Sequence, residues 1–155
     1  LLVDANFNHP GFNKLYDINP DTGIDAGVSM DNQADLIKKI DGGLDIIPSK
    51  MNMDKPAALL DRVDFNGFIE KHGNEYDVIL LDATGINSIK GSSFLSKYTD
   101  GMVIVIDEGR VKRQMLKNSL VHLSRNKVTL IGGILNNRTF PVPEFIYKYF
   151  KFSID

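Results

Sequence analysis

Leu1-Leu2-Val3-Asp4 opens the sequence, and Val78-Ile79-Leu80-Leu81-Asp82 repeats the same pattern, an apolar run that ends in aspartate. A short continuous apolar run is typical of a parallel strand that is buried on both faces. In α/β proteins, ligands bind outside the carboxyl ends of such strands. We therefore expect two strands to deliver Asp4 and Asp82 to one edge of a sheet, and this pair of carboxylates suggests a site for a nucleotide and magnesium.

Strand patterns alternate with helical ones along the rest of the chain. Further strands are predicted at Leu44–Ile47, Met102–Ile106 and Val128–Leu135. Alternation of this kind is typical of parallel strands covered by helices. The fold class is therefore predicted as α/β, with a three-layer, mostly parallel sheet and helices on both faces.

Capping residues and apolar spacing predict the helices between these strands. Asp31 is expected to cap a helix with Ala34, Ile37 and Ile40 on one face, and Gly42-Gly43 is expected to end it. Four further helices are predicted: one that starts at Pro56, one capped by Asp64 that ends at Gly73, one around Phe94, Leu95 and Tyr98, and one that contains Leu116, Leu120 and Leu123.

Size and composition indicate one soluble α/β domain at residues 1–138, followed by a tail. The chain has 155 residues, of which 43% are apolar, and no apolar stretch approaches the ~20 residues that a membrane-spanning helix needs. Lysine and arginine number 18 against 20 acidic residues, so no basic field favours nucleic acid. The absence of cysteine excludes disulfides and thiolate sites. Because the chain opens on Leu1 inside a predicted strand, we expect it to be a piece of a longer protein, whose earlier part could hold a leader or an anchor.

The order and spacing of several short motifs carry a resemblance. The sequence resembles the cytoplasmic domain of bacterial tyrosine autokinases of capsule and exopolysaccharide synthesis, which are related to the partition and division-site ATPases with a deviant Walker motif. The resemblance covers nearly the whole chain and implies a P-loop-NTPase-like fold. The segments that carry it begin with Leu1–Pro10, which resembles the family's second Walker A motif, and continue with Gly43–Pro48, Lys55–Leu60, Tyr76–Asp82, Glu108–Arg110 and Gly132–Asn136.

The resemblance implies ATP and Mg²⁺ as cofactors and assigns roles to individual residues. Asp4 would lie near the magnesium and the attacking hydroxyl, Asp82 would hold magnesium through water, and Asn136 would lie beside the adenine. Asn6, Arg110 and Arg138 complete the nucleotide-binding candidates that it implies. The structural alternative is that each aspartate only ends a strand and caps the next turn.

The sequence also departs from the family pattern. Asn6 stands where the family has its second aspartate, and Asn8 stands where it has an arginine, so one negative charge and one bidentate phosphate donor are lost. Gly85 replaces a proline, and the chain contains no glycine loop with its lysine to hold phosphates. The segment Gly85–Ser92 has glycine, lysine and serine, but in the wrong order. We therefore do not expect this polypeptide alone to transfer phosphate.

The tail at residues 139–155 is rich in aromatic residues, with a short helix expected to start at Pro143. Tyr147 and Tyr149 alternate with phenylalanines, so docking is the preferred interpretation, with phosphorylation the alternative. The three histidines, His9, His72 and His122, have no metal-ligand spacing, and His72 is expected to pack on the apolar side of its helix.

Three functional hypotheses follow. The preferred one is a tyrosine-autokinase-like domain that regulates exopolysaccharide or capsule synthesis, either incomplete here or degenerate and non-catalytic. Its expected partner is a membrane chain-length protein (polysaccharide co-polymerase), together with homo-oligomers, at the cytoplasmic face of the membrane. The second hypothesis is an ATPase switch of the partition or division-site class, and the third is a non-catalytic interaction scaffold.

Overall fold

The computed structural model describes residues 1–24, 36–40, 42–50, 63–86 and 92–138. The predicted helix at Pro56, most of the Gly85–Ser92 segment and the whole tail at 139–155 lie outside these residues. The chain divides into two compact units after Asp100, and the second is described from Gly101 to Arg138.

A four-stranded, mostly parallel sheet organises the first unit. Its strands are β1 (Leu2–Ala5), β2 (Lys38–Ile40), β3 (Leu44–Ile47) and β4 (Leu80–Ala83), in the order β2-β3-β1-β4. The central strand β1 pairs in parallel with both β3 and β4, whereas β2 pairs antiparallel with β3. The predicted α/β class with a mostly parallel sheet is confirmed.

The helices of the first unit are short. They are α1 (Phe12–Leu15), α2 (Phe65–His72) and α3 (Ser92–Leu95), and a 3₁₀ turn at Ser96–Tyr98 continues α3. The start of α2 follows the predicted capping rule, because the Asp64 side chain accepts a hydrogen bond from the Gly67 amide at 3.0 Å. Helix α2 ends before Gly73, as predicted, and buries His72.

The apolar core of the first unit lies between the sheet and these helices. Phe65 and Phe68 of α2 are buried there, and Leu95 of α3 packs into the same core. The strand residues of the core include Val3, Ala5 and Ile47. Burial of these side chains fixes β1 in the centre of the sheet, so its carboxyl end is held by neighbours on both sides.

One predicted helix is wrong where the structure describes it. Lys38–Ile40 is strand β2, in which Ile40 pairs with Leu44 of β3. Gly42 and Gly43 have φ angles of 86° and 81°, which is the left-handed region that a tight hairpin turn requires. The glycine pair therefore turns the chain between two strands instead of ending a helix. Residues 31–35 lie outside the described part.

The second unit is a parallel strand pair with a connecting helix. Strand β5 (Met102–Asp107) leads through α4 (Arg113–Arg125) to β6 (Leu130–Asn136). The two strands pair in parallel from Met102 with Leu130 to Asp107 with Asn136. Both strands and the helix were predicted, with ends that differ by one or two residues at β5 and β6.

Candidate functional site

The carboxyl end of β1 and β4 brings the two predicted aspartates together. In the parallel pairing of these strands, Asp4 is the register partner of Asp82, one position before Ala5 pairs with Ala83. Register partners on neighbouring strands lie side by side, on strands that run ~4.8 Å apart. The sheet therefore places both carboxylates at one edge, as the two apolar runs predict.

Asp4 is completely buried, with 0% of its surface exposed. Its Oδ1 accepts a hydrogen bond from the Asn6 amide at 3.1 Å, and its Oδ2 accepts from the amides of Gly11 and Phe12 at 3.0 and 3.3 Å. The Ser49 hydroxyl donates to the Asp4 backbone carbonyl. The side chain of Asp4 thus holds the loop that leaves β1 and leads to α1.

Asp82 differs from Asp4 in its access to solvent. It is exposed, and its carboxylate takes part in no hydrogen bond between described residues. Partial burial raises the pKa of Asp82, and the neighbouring Asp4 charge raises it further. Burial also raises the pKa of Asp4, although the amides of Gly11, Phe12 and Asn6 partly offset that effect. Two like charges side by side each favour protonation of the other, or the approach of a cation.

Asn6 directly follows β1 and is partly buried. Its Oδ1 atom is inaccessible to solvent and has no hydrogen-bond partner among the described residues. The resemblance implies a nucleotide-binding role for Asn6, which directly follows the last residue of β1.

This set of groups fits a magnesium ion that arrives with a nucleotide. Within the part of the chain that the structure describes, no group of three or more histidine, cysteine, aspartate or glutamate residues surrounds a metal position. Magnesium, however, is usually held by one or two carboxylates, by substrate phosphates and by its own waters. Asp82 with the adjacent Asp4 meets that smaller requirement.

The remaining candidates lie in the second unit. Arg110 is 84% exposed at its side chain, and its Nε lies 3.4 Å from Oδ2 of Asp107. Asn137 donates from Nδ2 to Oδ1 of Asp107 at 2.6 Å. Asn136 is exposed at the end of β6, where its carbonyl accepts from the Glu108 amide. Arg138 follows at the end of the described residues and takes part in a polar interaction of its own.

Sequence reasoning missed Asp107 as the organising residue of this strand end. The signal was present, because Met102–Asp107 is a third apolar run that ends in aspartate. Its carboxylate joins the turn after β5 to the turn after β6. Asp107 therefore has a clear structural role, while Arg110 is largely free in solvent apart from its ion pair.

No helix among the described residues is both long and apolar enough to span a membrane.

Several curated bacterial proteins are similar to this chain in sequence. No family model matches the chain. Tyrosine-protein kinase CpsD of Streptococcus agalactiae is 30% identical over 91 residues, which cover 59% of this chain and 40% of CpsD. Tyrosine-protein kinase YwqD of Bacillus subtilis is 21% identical over 140 residues, 89% of this chain and 59% of YwqD. The succinoglycan biosynthesis transport protein ExoP of Rhizobium meliloti is 22% identical over 149 residues, 90% of this chain and 18% of ExoP. The chain thus spans about two fifths of the length of the first of these curated relatives.

Solved structures show the same fold. The kinase domain of VpsO superposes with a TM-score of 0.77 at 21% identity, over 89% of this chain and 70% of that one. The kinase domain of Escherichia coli tyrosine kinase ETK gives 0.74 at 18% identity, over 92% and 58%. The expected P-loop-NTPase-like fold is confirmed by these neighbours. In sequence the chain is similar to bacterial proteins named tyrosine-protein kinases, and in fold it is similar to the kinase domains of VpsO and ETK.

Proposed function

We propose that this chain is a nucleotide-binding, tyrosine-autokinase-like domain that regulates exopolysaccharide or capsule synthesis. The observation that carries the proposal is the register of Asp4 with Asp82 at the carboxyl edge of a parallel sheet. Relatives that are named tyrosine kinases and a succinoglycan transport protein support the biological setting. Nucleotide binding at this edge follows the general behaviour of α/β sheets.

The two aspartates would divide the work at this site. Asp82 is exposed and would hold the magnesium ion of the nucleotide through water. Asp4 is buried and bonded to three backbone amides, so it would fix the loop after β1 and add negative charge beside the cation. A bound magnesium ion neutralises phosphate charge, which is the main requirement of phosphoryl transfer.

In the second unit, Arg110, Asn136 and Arg138 are proposed as nucleotide-binding residues on the strength of the resemblance. Arg110 is the best placed of them to take a new partner, because its side chain is mostly exposed and its ion pair with Asp107 is at the surface. Surface ion pairs of this kind are weak and exchange easily.

The residues present favour binding over fast catalysis. Asn6 and Asn8 are neutral, so neither can act as a carboxylate or as a bidentate phosphate donor. We therefore propose that the domain responds to nucleotide while its phosphoryl transfer is slow or absent. Its partner would be a polysaccharide chain-length protein at the cytoplasmic face of the membrane, with the segment 139–155 as the docking tail after a domain at 1–138, and homo-oligomers as a further form.

A second candidate function is a scaffold that binds no nucleotide. It is favoured by the state of Asp4, which is 0% exposed and already accepts three backbone hydrogen bonds. A carboxylate that is occupied in this way has a sufficient structural reason to exist.

Titration calorimetry separates the two candidates. The full-length protein should be titrated with a non-hydrolysable ATP analogue in the presence of Mg²⁺, as wild type, as Asp82→Asn and as Asp77→Asn. Asp77 is an exposed aspartate shortly before β4, so it matches the lost charge without altering the edge. Binding that is weakened by Asp82→Asn and unchanged by Asp77→Asn supports the nucleotide site. If the wild type does not bind the analogue at millimolar concentration, the nucleotide site is refuted and the scaffold function is favoured.

A further inference from the structure

The segment from Gly109 to Arg138 carries charge of one sign. It contains seven lysine and arginine residues and no aspartate or glutamate, although the whole chain has a net charge of -2. Six of the seven lie in α4 or close to its ends, namely Arg110, Lys112, Arg113, Lys117, Arg125 and Lys127. Protein surfaces usually intersperse both signs of charge. The positive charge of the second unit is thus concentrated on one helix.

Three of these basic residues form a row along α4. Side chains at four-residue steps are neighbours on the surface of a helix, and this spacing gives a basic stripe that consists of Arg113, Lys117, Val121 and Arg125. All four residues are exposed. Leu123 is buried, and the helical period of 3.6 residues places it on the other side of α4. The basic stripe therefore lies on the solvent side of the helix.

The stability of α4 does not explain the basic stripe. Arg113 is the first residue of α4, whose first turn has no acidic residue, and a cation at that end opposes the helix dipole. Arg113 and Lys117 are like charges four residues apart, a spacing at which they destabilise a helix. The cations of the stripe take part in no ion pair between described residues. Charges that lower the stability of their own helix indicate a negatively charged partner.

The length and composition of the stripe favour an extended anionic surface over one small anion. The row from Arg113 to Arg125 is about 18 Å long at 1.5 Å per residue. Apolar side chains accompany the charges, since Val121 is 50% exposed and its neighbour Leu120 is 38% exposed. Basic residues together with exposed apolar residues are typical of helices that lie on anionic lipid. Binding to nucleic acid depends mainly on phosphate charge, to which an aliphatic side chain adds little.

We propose that the basic stripe of α4 binds the headgroups of an anionic lipid membrane. Clusters of four to eight lysine and arginine residues on such a helix have this property in general. The inference goes beyond the proposed function and does not depend on the nucleotide site, which involves other residues. It gives the second unit a membrane contact of its own, in addition to any contact that a partner protein provides.

Flotation of the full chain with lipid vesicles, without nucleotide, tests the proposal. The wild type should bind mixed vesicles of phosphatidylcholine and phosphatidylglycerol, and it should not bind vesicles of phosphatidylcholine alone. Added salt should weaken the binding, because it screens the attraction between charges at a surface. Because nucleotide is absent, a negative result refutes the lipid contact and leaves the nucleotide site standing.

The double variant Arg113→Gln/Lys117→Gln removes two charges and keeps a similar helix propensity. Each basic residue near an anionic surface strengthens binding by a factor of about five, so this variant should bind mixed vesicles about 25-fold more weakly. Its melting temperature should not fall, because the change removes like-charge repulsion and a cation at the helix start. Lys14→Gln/Lys71→Gln is the matched control, since both lysines are exposed in the first unit, and it should leave vesicle binding unchanged.

Val121→Ser separates lipid from nucleic acid. It should weaken binding to mixed vesicles without any change of charge, because the valine contacts the apolar part of the lipid surface. Binding of a DNA duplex that is tighter than vesicle binding and unchanged by Val121→Ser would identify a nucleic-acid surface and refute the lipid contact.

Three other results would also overturn the proposal. The first is a wild type that does not bind the mixed vesicles, or binds both kinds of vesicle equally. The second is a double variant that binds the mixed vesicles as tightly as the wild type. The third is a double variant with a melting temperature below that of the control, which would show that Arg113 and Lys117 have a structural role.

Discussion

Asp82→Asn should stabilise the ligand-free, metal-free protein at neutral pH. Asp4 and Asp82 are register partners on adjacent strands, so the substitution removes one of two like charges at one sheet edge. Two unit charges ~5 Å apart repel by about 3 kcal/mol at an effective dielectric constant of ~20. Because Asp82 is exposed, water screens much of this repulsion, and about 1 kcal/mol is the expected gain. For a protein of this size that gain raises the melting temperature by about 2–4 °C.

The stability gained by Asp82→Asn should depend on pH. The pKa values of Asp4 and Asp82 are both raised above the ordinary 3.8, so the folded protein favours their protonated forms. The stability that these two groups contribute is therefore complete below their ordinary pKa, and it is lost as the pH rises through the raised values. Asparagine at position 82 avoids this loss. The advantage of Asp82→Asn should be full at pH 7 and should disappear as the pH falls through the raised pKa values.

Urea denaturation of wild type, Asp82→Asn and Asp77→Asn in chelator-treated buffer, at several pH values from about 7 to about 4, measures the effect. Asp77 is exposed and its substitution should leave the free energy of unfolding within about 0.5 kcal/mol of wild type. The reasoning is refuted if Asp82→Asn is less stable than wild type at pH 7, or if its advantage grows as the pH falls.

Three further predictions concern the first unit. Phe65→Ala should lower the free energy of unfolding by about 3–5 kcal/mol in chemical denaturation, because Phe65 is 1% exposed in the core, and a loss under 1 kcal/mol would contradict that placement. Tyr76→Phe should cost about 1 kcal/mol at neutral pH by removing the 2.8 Å hydrogen bond to Asp45. Because the pKa of Tyr76 is raised from 10.0 to about 12, this cost should fade above pH 10 in the same denaturation assay, and a pH-independent cost would contradict the bond. Gly23→Ala should lower the melting temperature measured by circular dichroism, since Gly23 has φ 136° and a Cβ there would collide with the backbone at Pro48; an unchanged melting temperature would contradict this.

Local signals were sufficient for much of the fold. The strand Leu44–Ile47 has the predicted bounds, and α2 begins after the predicted cap Asp64 and ends before the predicted terminator Gly73. These elements could be predicted because each is specified by neighbours in the sequence, an apolar run in one case and a capping residue in the other.

The predicted helix with Ile37 and Ile40 was wrong because the same residues also fit a strand followed by a hairpin turn. Ile37 and Ile40 have helical spacing, yet Gly42-Gly43 is also a hairpin signal, and pairing of Ile40 with Leu44 decides in favour of the strand. That pairing depends on where β3 lies in the sheet. The spacing of apolar residues contains no information about that position.

The candidate site was predictable in position but not in chemistry. Two apolar runs that end in aspartate were enough to predict that Asp4 and Asp82 meet at one edge. The burial of Asp4 depends on the amides of Gly11 and Phe12, seven and eight residues away in the sequence, which fold back onto its carboxylate. Nothing in the apolar run itself distinguishes this buried carboxylate from the exposed one of Asp82.

A contrast within the first unit explains why the β1 and β4 edge is the better candidate for binding. At the end of α2 and just beyond it, polar groups are paired: His72 Nδ1 lies 2.7 Å from Glu75 Oε2, and the Tyr76 hydroxyl donates to Asp45. At the ends of β1 and β4, by contrast, two carboxylates repel each other and two buried oxygens, in Asn6 and Thr84, have no partner among the described residues. Both features lower the stability of the ligand-free protein, and a bound cation would relieve the repulsion between the two carboxylates. Sites that bind ligands are often organised at the expense of stability in this way, and the substitution Asp82→Asn tests the repulsion between the carboxylates.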